Sequence, residues 1–255
     1  MRLTLLGNCS PYSSGSEQLP LSSNLTLRNA TVSDADAITN IILAAFHDTP
    51  HWKYGYQYMD KYPREHHDCM YNQIHQALRL TDVYAQVALL PNITEPHEAV
   101  PIATALWALG PLGRTKAKDA RSISLFSMMM QTMCLHRDLN MTRLIDFDRQ
   151  VKDAQDRYLD SVYARQDQLY LGMLATHPDY QRHGAGAALV NAGISMGKHT
   201  YEGENVTATL IATEAGEPLY MHLGWRSMHN FTVRSLDVIN GTREEWRFDI
   251  MSHAL

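Results

Sequence analysis

From Leu25 the chain alternates apolar and polar residues through Leu25-Thr26-Leu27-Arg28, the period of a half-buried strand. The period then lengthens. Ala37, Ile38, Ile41, Ile42, Ala45 and Phe46 recur at helical spacing, behind Ser33 as the expected N-cap. Asp34 and Asp36 fall in the first turn, where negative charge suits the helix dipole. Thr49-Pro50 stops this helix, and the next stretch is dense in aromatics: Trp52, Tyr54, Tyr56, Tyr58 and Tyr62. A second helix is expected from Pro63 to about Leu80. Val83–Leu90 and Pro101–Leu109 read as an antiparallel pair around a turn at Asn92–Ala99. Residues 113–166 carry many charges and a methionine cluster (Met128, Met129, Met130, Met133), and read as one or two inserted helices. Beyond them the pattern predicts a strand at Gln168–Ala175, a turn at His177–Tyr180, and a small-residue helix from Gly184 to about His199. A strand at Val206–Ala212 follows. A short helix at Glu217–Leu223 ends at Gly224, a residue suited to helix C-termini. Phe231–Leu236 and Glu245–Ile250 read as closing strands, and no internal repeat is visible.

Composition narrows the class. The chain has 255 residues, 45% of them apolar, enough for one sizeable domain. Residues 1–23, rich in Ser, Pro and Gly, read as a loosely ordered arm ahead of a single domain at 24–255. A net charge of −5 and a pI near 6.2 argue against a general nucleic-acid binder. Cys9, Cys69 and Cys134 are far apart and odd in number, with no CxxC pair and no zinc spacing. The simplest reading is a reduced, cytoplasmic protein with no metal site. His66 and His67 are adjacent, so on a helix they point apart, which also disfavours a metal site. No run reaches the roughly 20 apolar residues of a membrane span, so no membrane partner is expected. The apolar start Met1–Leu6 is too short for a signal peptide.

The most informative segment is the strand, turn and helix at 168–199. The first N–H groups of a helix lack internal partners, and the dipole favours an anion there. Gly184 and Gly186 remove side chains where a phosphate must approach the backbone, and Ala187 and Ala188 keep the first turn thin. Arg182, and His183 if protonated, can add charge to a pyrophosphate. The bland alternative is a helix-capping turn without a ligand.

The run from Leu174 to Leu189, with Gln181, Gly184 and Gly186 at its centre, resembles the acyl-CoA-binding motif of the GNAT (Gcn5-related N-acetyltransferase) superfamily. Glu217-Pro218-Leu219-Tyr220-Met221-His222-Leu223-Gly224-Trp225 is similar to the same family's Leu-Tyr-x-x-x-Gly-Phe signature, with Trp225 in place of Phe. Leu27 to Phe46 resembles its first strand and helix. The likeness covers about residues 25–112 and 168–250, leaving 113–166 as a helical insertion.

The resemblance implies an α/β (α+β) fold with helices on both faces of a mixed, mostly antiparallel twisted sheet, splayed between two central strands. It implies acetyl-CoA as cosubstrate, with pantetheine along Met173, Leu174 and Thr176 and the pyrophosphate held at Gln181, Arg182, His183, Gly184, Ala185, Gly186 and Ala187. A backbone N–H of the same strand would polarise the thioester carbonyl. Tyr220 falls at the family's general-acid position. Some relatives carry a Glu where this chain has Ile211, which leaves the base open. Glu214 is the first candidate, with His177, Asp146 or a water chain behind it. The implied reaction is N-acetyl transfer to an amine, most simply that of a small molecule, by a monomer or homodimer. Longer acyl or O-acyl transfer, or a non-catalytic CoA-binding module, are the alternatives. In this family the loop after the first helix often lines the acceptor site, so the aromatics from Trp52 to Tyr62 either pack or touch substrate. The methionine cluster is expected in the core, or, if it lines that site, opposite a bulky apolar acceptor.

Overall fold

The computed structural model describes residues 25–91, 99–110, 134, 136–163, 168–202, 204–238 and 241–255. The expected N-terminal arm, most of the first hairpin's turn and the methionine cluster lie outside them. The strands are β1 (Thr26–Asn29), β2 (Val83–Pro91), β3 (Ala99–Gly110), β4 (Gln168–Thr176), β5 (Thr207–Thr213), β6 (Arg226–Arg234) and β7 (Glu245–Ala254). They form one seven-stranded sheet in the order β1-β2-β3-β4-β5-β7-β6. Every neighbouring pair is antiparallel except β4 and β5, which run parallel. This is the mixed, mostly antiparallel sheet that the resemblance implied. β6 begins at Arg226 rather than Phe231, because its first residues pair with the end of β7.

The helices are α1 (Ala35–Phe46), α2 (Pro50–Gly55), α3 (Pro63–Ala77), α4 (Met141–Gln155), α5 (Ala185–Thr200) and α6 (Glu217–His222). α4 continues through a wider turn at Asp156–Asp160 into Ser161–Tyr163. Apolar faces of the sheet are covered on both sides. Leu189, Val190 and Ile194 of α5 pack on Trp107, Leu169 and Leu210. The approach is close, since an added Cβ at Gly193 would overlap the Trp107 indole. Another core joins Ile38, Ile42, Met70 and Ile74 of α1 and α3 to Val87, Leu89, Met173 and Ala175. A third cluster gathers Tyr54, Trp246, Phe248, Phe147 and Ile211. β5 alternates between these cores: Ala208, Leu210 and Ala212 belong to the α5 side, whereas Ile211 joins the third cluster.

Two sequence expectations need correction. Ser33 does not cap α1. A single tight turn, Val32–Asp34, precedes the helix, and Thr31 and Asp34 form the capping box. The Asp34 carboxylate accepts from the Thr31 N–H (2.7 Å) and hydroxyl (3.0 Å), and from both terminal nitrogens of Arg28 (2.8 and 2.7 Å). The Arg28 bonds hold Asp34 down at about 2.

The second correction concerns the cysteines. Cys69 of α3 and Cys134 are joined in a disulfide across a sequence separation of 65. Spacing along the chain carried no hint of this, because tertiary folding brings the two together. The expectation of reduced cysteines is therefore corrected at Cys69 and Cys134. Among the described residues, donor atoms of Cys69, Cys134 and His136 lie within 4.8 Å of one another, but the disulfide engages two of the three. The segment after Cys134 is fastened to α2 and α3. Tyr58 N–H donates to the Asp138 carbonyl (2.9 Å) and Asn140 N–H to that of Gly55 (2.8 Å). Trp52 Nε1–H can only donate, so His66 accepts at Nε2 (3.4 Å) and donates from Nδ1 to buried Asp138 (2.8 Å). These bonds set where α4 starts, beside α2.

No helix among the described residues is long and apolar enough to cross a membrane.

Candidate active site

The parallel pairing of β4 with β5 covers only Gln168–Leu171 against Thr207–Leu210. Past that point β4 pairs with β3 alone and β5 with β7 alone. The strands splay, so the facing edges of Gly172–Thr176 and Ile211–Thr213 share no ladder. Gly172 is the extra residue in the β3–β4 register, where Leu106 faces Met173 and Trp107 faces Leu171. A cleft of about 1740 Å³ runs through this gap. Met173, Leu174 and Thr176 all line it.

At one end the cleft meets the N-terminus of α5. Gly184 is the N-cap with φ +85°, in the left-handed region, and no side chain caps the helix. The first turn closes with Ala188 N–H on the Gly184 carbonyl (2.9 Å), so the N–H groups of Ala185, Gly186 and Ala187 precede the helical ladder. Arg182 also takes a positive φ, 67°, so two left-handed residues bend this loop. Such bends make backbone concavities suited to anions. An added Cβ at Gly186 would meet only ordinary contacts, the nearest being Leu219 at 3.5 Å, so the fold itself does not require glycine there. Gln181, Arg182, Gly184, Ala185, Gly186 and Ala187 line the cleft. His183 does not, and this departs from the sequence expectation. The Gln181 side chain donates to the Thr176 carbonyl (3.2 Å), tying the loop to the strand that precedes it.

α6 sets Tyr220 against the same cleft. The Pro218 that follows Glu217 opens the helix, and Gly224, at φ +83°, turns the chain after it. The Tyr220 ring is buried edge-on to Trp225, centroids 5.8 Å apart. Burial pushes its phenol well above the ordinary tyrosine value. Glu214 is exposed on the cleft's rim just beyond β5. Ile211 is the first residue of β5 past the last pair with β4, at the apex of the splay. His177 and Asp146 lie outside the cleft lining. His177 instead accepts from the Asp179 N–H, and Asp146 is bonded to Arg149 and Gln150.

Sequence reasoning missed the opposite wall. His51 of α2 lies between Phe147 of α4 (ring centroids 6.0 Å) and Phe248 of β7 (5.6 Å). Burial lowers His51 to about 4, so it is neutral at physiological pH. Of the aromatic stretch, Trp52 and Tyr56 line the cleft, whereas Tyr58 faces solvent.

A central sheet parted between two parallel strands, with a bare helix N-terminus at the parting, is the architecture of an acyl-CoA N-acyltransferase. A family profile described as Acetyltransferase (GNAT) domain matches residues 141–235. An acetyltransferase of Stachybotrys chartarum is 25% identical over 203 residues, 78% of this chain and 80% of that protein. Among solved structures, a Drosophila melanogaster polyamine N-acetyltransferase superposes with a TM-score of 0.56 at 14% identity, over 91% of this chain and 100% of its own. A Corynebacterium glutamicum structure described as histone acetyltransferase HPA2 and related acetyltransferase gives 0.50 at 16% identity, over 91% and 97%. At these identities the structural likenesses show the fold. The sequence matches identify a GNAT acetyltransferase domain at residues 141–235 and a likeness to an acetyltransferase that extends over 78% of the chain. The profile begins at Met141, the first residue of α4, so the second half of the expected insertion lies inside the family's range.

Proposed function

We propose that the protein transfers an acetyl group from acetyl-CoA to the amine of a small molecule, by direct attack within a ternary complex. One observation carries this reading: the splay between β4 and β5 and the uncapped N-terminus of α5 open onto a single cleft. The amides of Ala185, Gly186 and Ala187 would receive the pyrophosphate, with the Arg182 guanidinium beside them. The free edge of β4 at Met173, Leu174 and Thr176 would pair with the pantetheine amides. A backbone N–H on that edge would stabilise the oxyanion as the amine attacks. A C–N bond forms, the C–S bond breaks, and the chain's main contribution is alignment.

Tyr220 is the proton donor to the departing thiolate. Its raised pKa keeps it protonated across the neutral range, which a donor requires. Glu214, on the rim, receives the amine's proton through water. Ile211 favours a second reading, because an apolar residue stands where some relatives carry a carboxylate. In that reading the same cleft serves a longer acyl chain or an alcohol acceptor.

Thiol release from acetyl-CoA with a panel of primary amines tests the proposal, with the acetylated product identified by mass. Consumption of longer thioesters alone, or formation of esters, moves the assignment to the second reading. No turnover with any acceptor overturns both.

A further inference from the structure

The third cluster is more than a place where β6 and β7 bury their inner faces. Four of its neighbouring rings also line the cleft: His51, Phe147, Trp246 and Phe248. They come from α2, α4 and β7, three segments with no sequence proximity. Phe147 lies 6.1 Å from Trp246 and 5.8 Å from Phe248, centroid to centroid, with His51 against both phenylalanines. Ile211, at the apex of the splay, packs on this group. The ring-lined end of the cleft therefore begins where the reacting carbonyl would sit.

We propose that the acceptor is a primary amine on an aromatic or similarly bulky apolar body, an arylalkylamine, whose body rests among His51, Phe147, Trp246 and Phe248 while its nitrogen lies beside Ile211. This deepens the amine-acetyltransferase reading and rests on it.

Three features favour such an acceptor over a polyamine or a peptide N-terminus. First, ring faces and edges reward an aromatic body and tolerate one adjacent cation. Second, His51 carries no charge at neutral pH to repel that cation. Two cations of the cleft lining are engaged elsewhere: Lys152 with Asp156 (3.3 Å) and Arg247 with Glu217 (2.8 Å). Third, the wall beside the rings is aliphatic: Ile211 and Val151 complete it. A polyamine would carry a second ammonium into that wall, and a peptide would carry backbone amides there. Both would lose water against an apolar wall.

The experiment compares kcat/KM for phenylethylamine and tryptamine with that for spermidine and a peptide N-terminal amine, at saturating acetyl-CoA. The arylalkylamines are expected to lead by about tenfold or more, the scale on which apolar pockets discriminate. Phe147→Ala is expected to raise KM for phenylethylamine about tenfold, with a smaller change for methylamine, which cannot reach the rings. His51→Ala provides the same test from α2 should Phe147→Ala fail to fold, and acetyl-CoA affinity reports folding in each variant. Faster turnover of spermidine or the peptide, or equal losses for phenylethylamine and methylamine, overturns this inference and leaves the amine-acetyltransferase reading intact. No turnover of any amine removes that reading, and the inference with it.

Discussion

The two ends of the cleft are made from different parts of the polypeptide. At the α5 end the working groups are backbone amides, and side chains matter chiefly by being absent. At the ring-lined end the backbone is remote and the working groups are side chains from α2, α4 and β7. The first kind of site is specified by a few consecutive residues, because a left-handed Gly184 and an uncapped helix start are local properties. The second exists only once the chain has folded. One consequence is a difference in tolerance. Substitution at the α5 end interferes with any ligand, whereas substitution at the ring-lined end retunes which ligand fits.

The sharpest break is Gly184→Glu. It forces a side chain into a φ of +85° and places a carboxylate where a diphosphate would rest. Acetyl-CoA binding measured by calorimetry should fall by more than about a hundredfold. Unchanged binding would falsify the assignment of this loop. Next is Tyr220→Phe, at the junction of the two ends. kcat should drop by about a hundredfold, the usual scale for a lost acid, with acetyl-CoA affinity nearly unchanged. Since burial raises the Tyr220 phenol, the parent enzyme should show no alkaline loss from this group below the ordinary tyrosine range. A variant as fast as the parent removes Tyr220 from the chemistry.

The ring-lined end can be probed without substrate, through acid stability. His51 titrates near 4 in the fold against about 6.5 in an unfolded chain. Above 6.5 both states are neutral and the group contributes nothing. As pH falls from 6.5 towards 4, the unfolded chain takes a proton that the folded one refuses, and stability is lost. His51→Phe removes that loss and keeps a ring between Phe147 and Phe248. Relative to the parent it should gain about 2 kcal/mol between pH 7 and pH 5 in urea titrations. Parallel pH profiles for the two proteins would show that His51 is not held neutral by burial.

How far each end was legible follows from the same distinction. Gln181, Gly184 and Gly186 could be picked out because their roles depend on near neighbours. The splay itself followed from resemblance, and the β4–β5 register bears it out at Leu171 and Leu210. The ring-lined wall was only half visible. The aromatic stretch was singled out from Trp52, one residue after the histidine that lines the cleft. Phe147 lay in a segment read as an insertion, and Trp246 and Phe248 read as closing strand. The disulfide failed to show for the same reason, whereas Thr31 in place of Ser33 was a local Thr-x-x-Asp signature that the choice of Ser33 passed over.

The smallest effect is the most specific test of a backbone-built site. Gly186 has no positive φ, and an alanine methyl there would meet Leu219 at 3.5 Å, the Thr176 hydroxyl oxygen at 3.7 Å and Leu174 at 3.8 Å. These are ordinary contacts, so Gly186→Ala should fold with an unchanged or slightly higher Tm, helped by the better helix propensity of alanine. What the methyl does reduce is the space in front of the first-turn amides. Acetyl-CoA affinity should therefore fall about fivefold while amine KM stays the same. Loss of stability would mean that the protein's own packing demands the glycine. Unchanged affinity with unchanged stability would mean that the diphosphate does not approach this turn. Only a loss of affinity without a loss of stability marks a space kept open for a ligand.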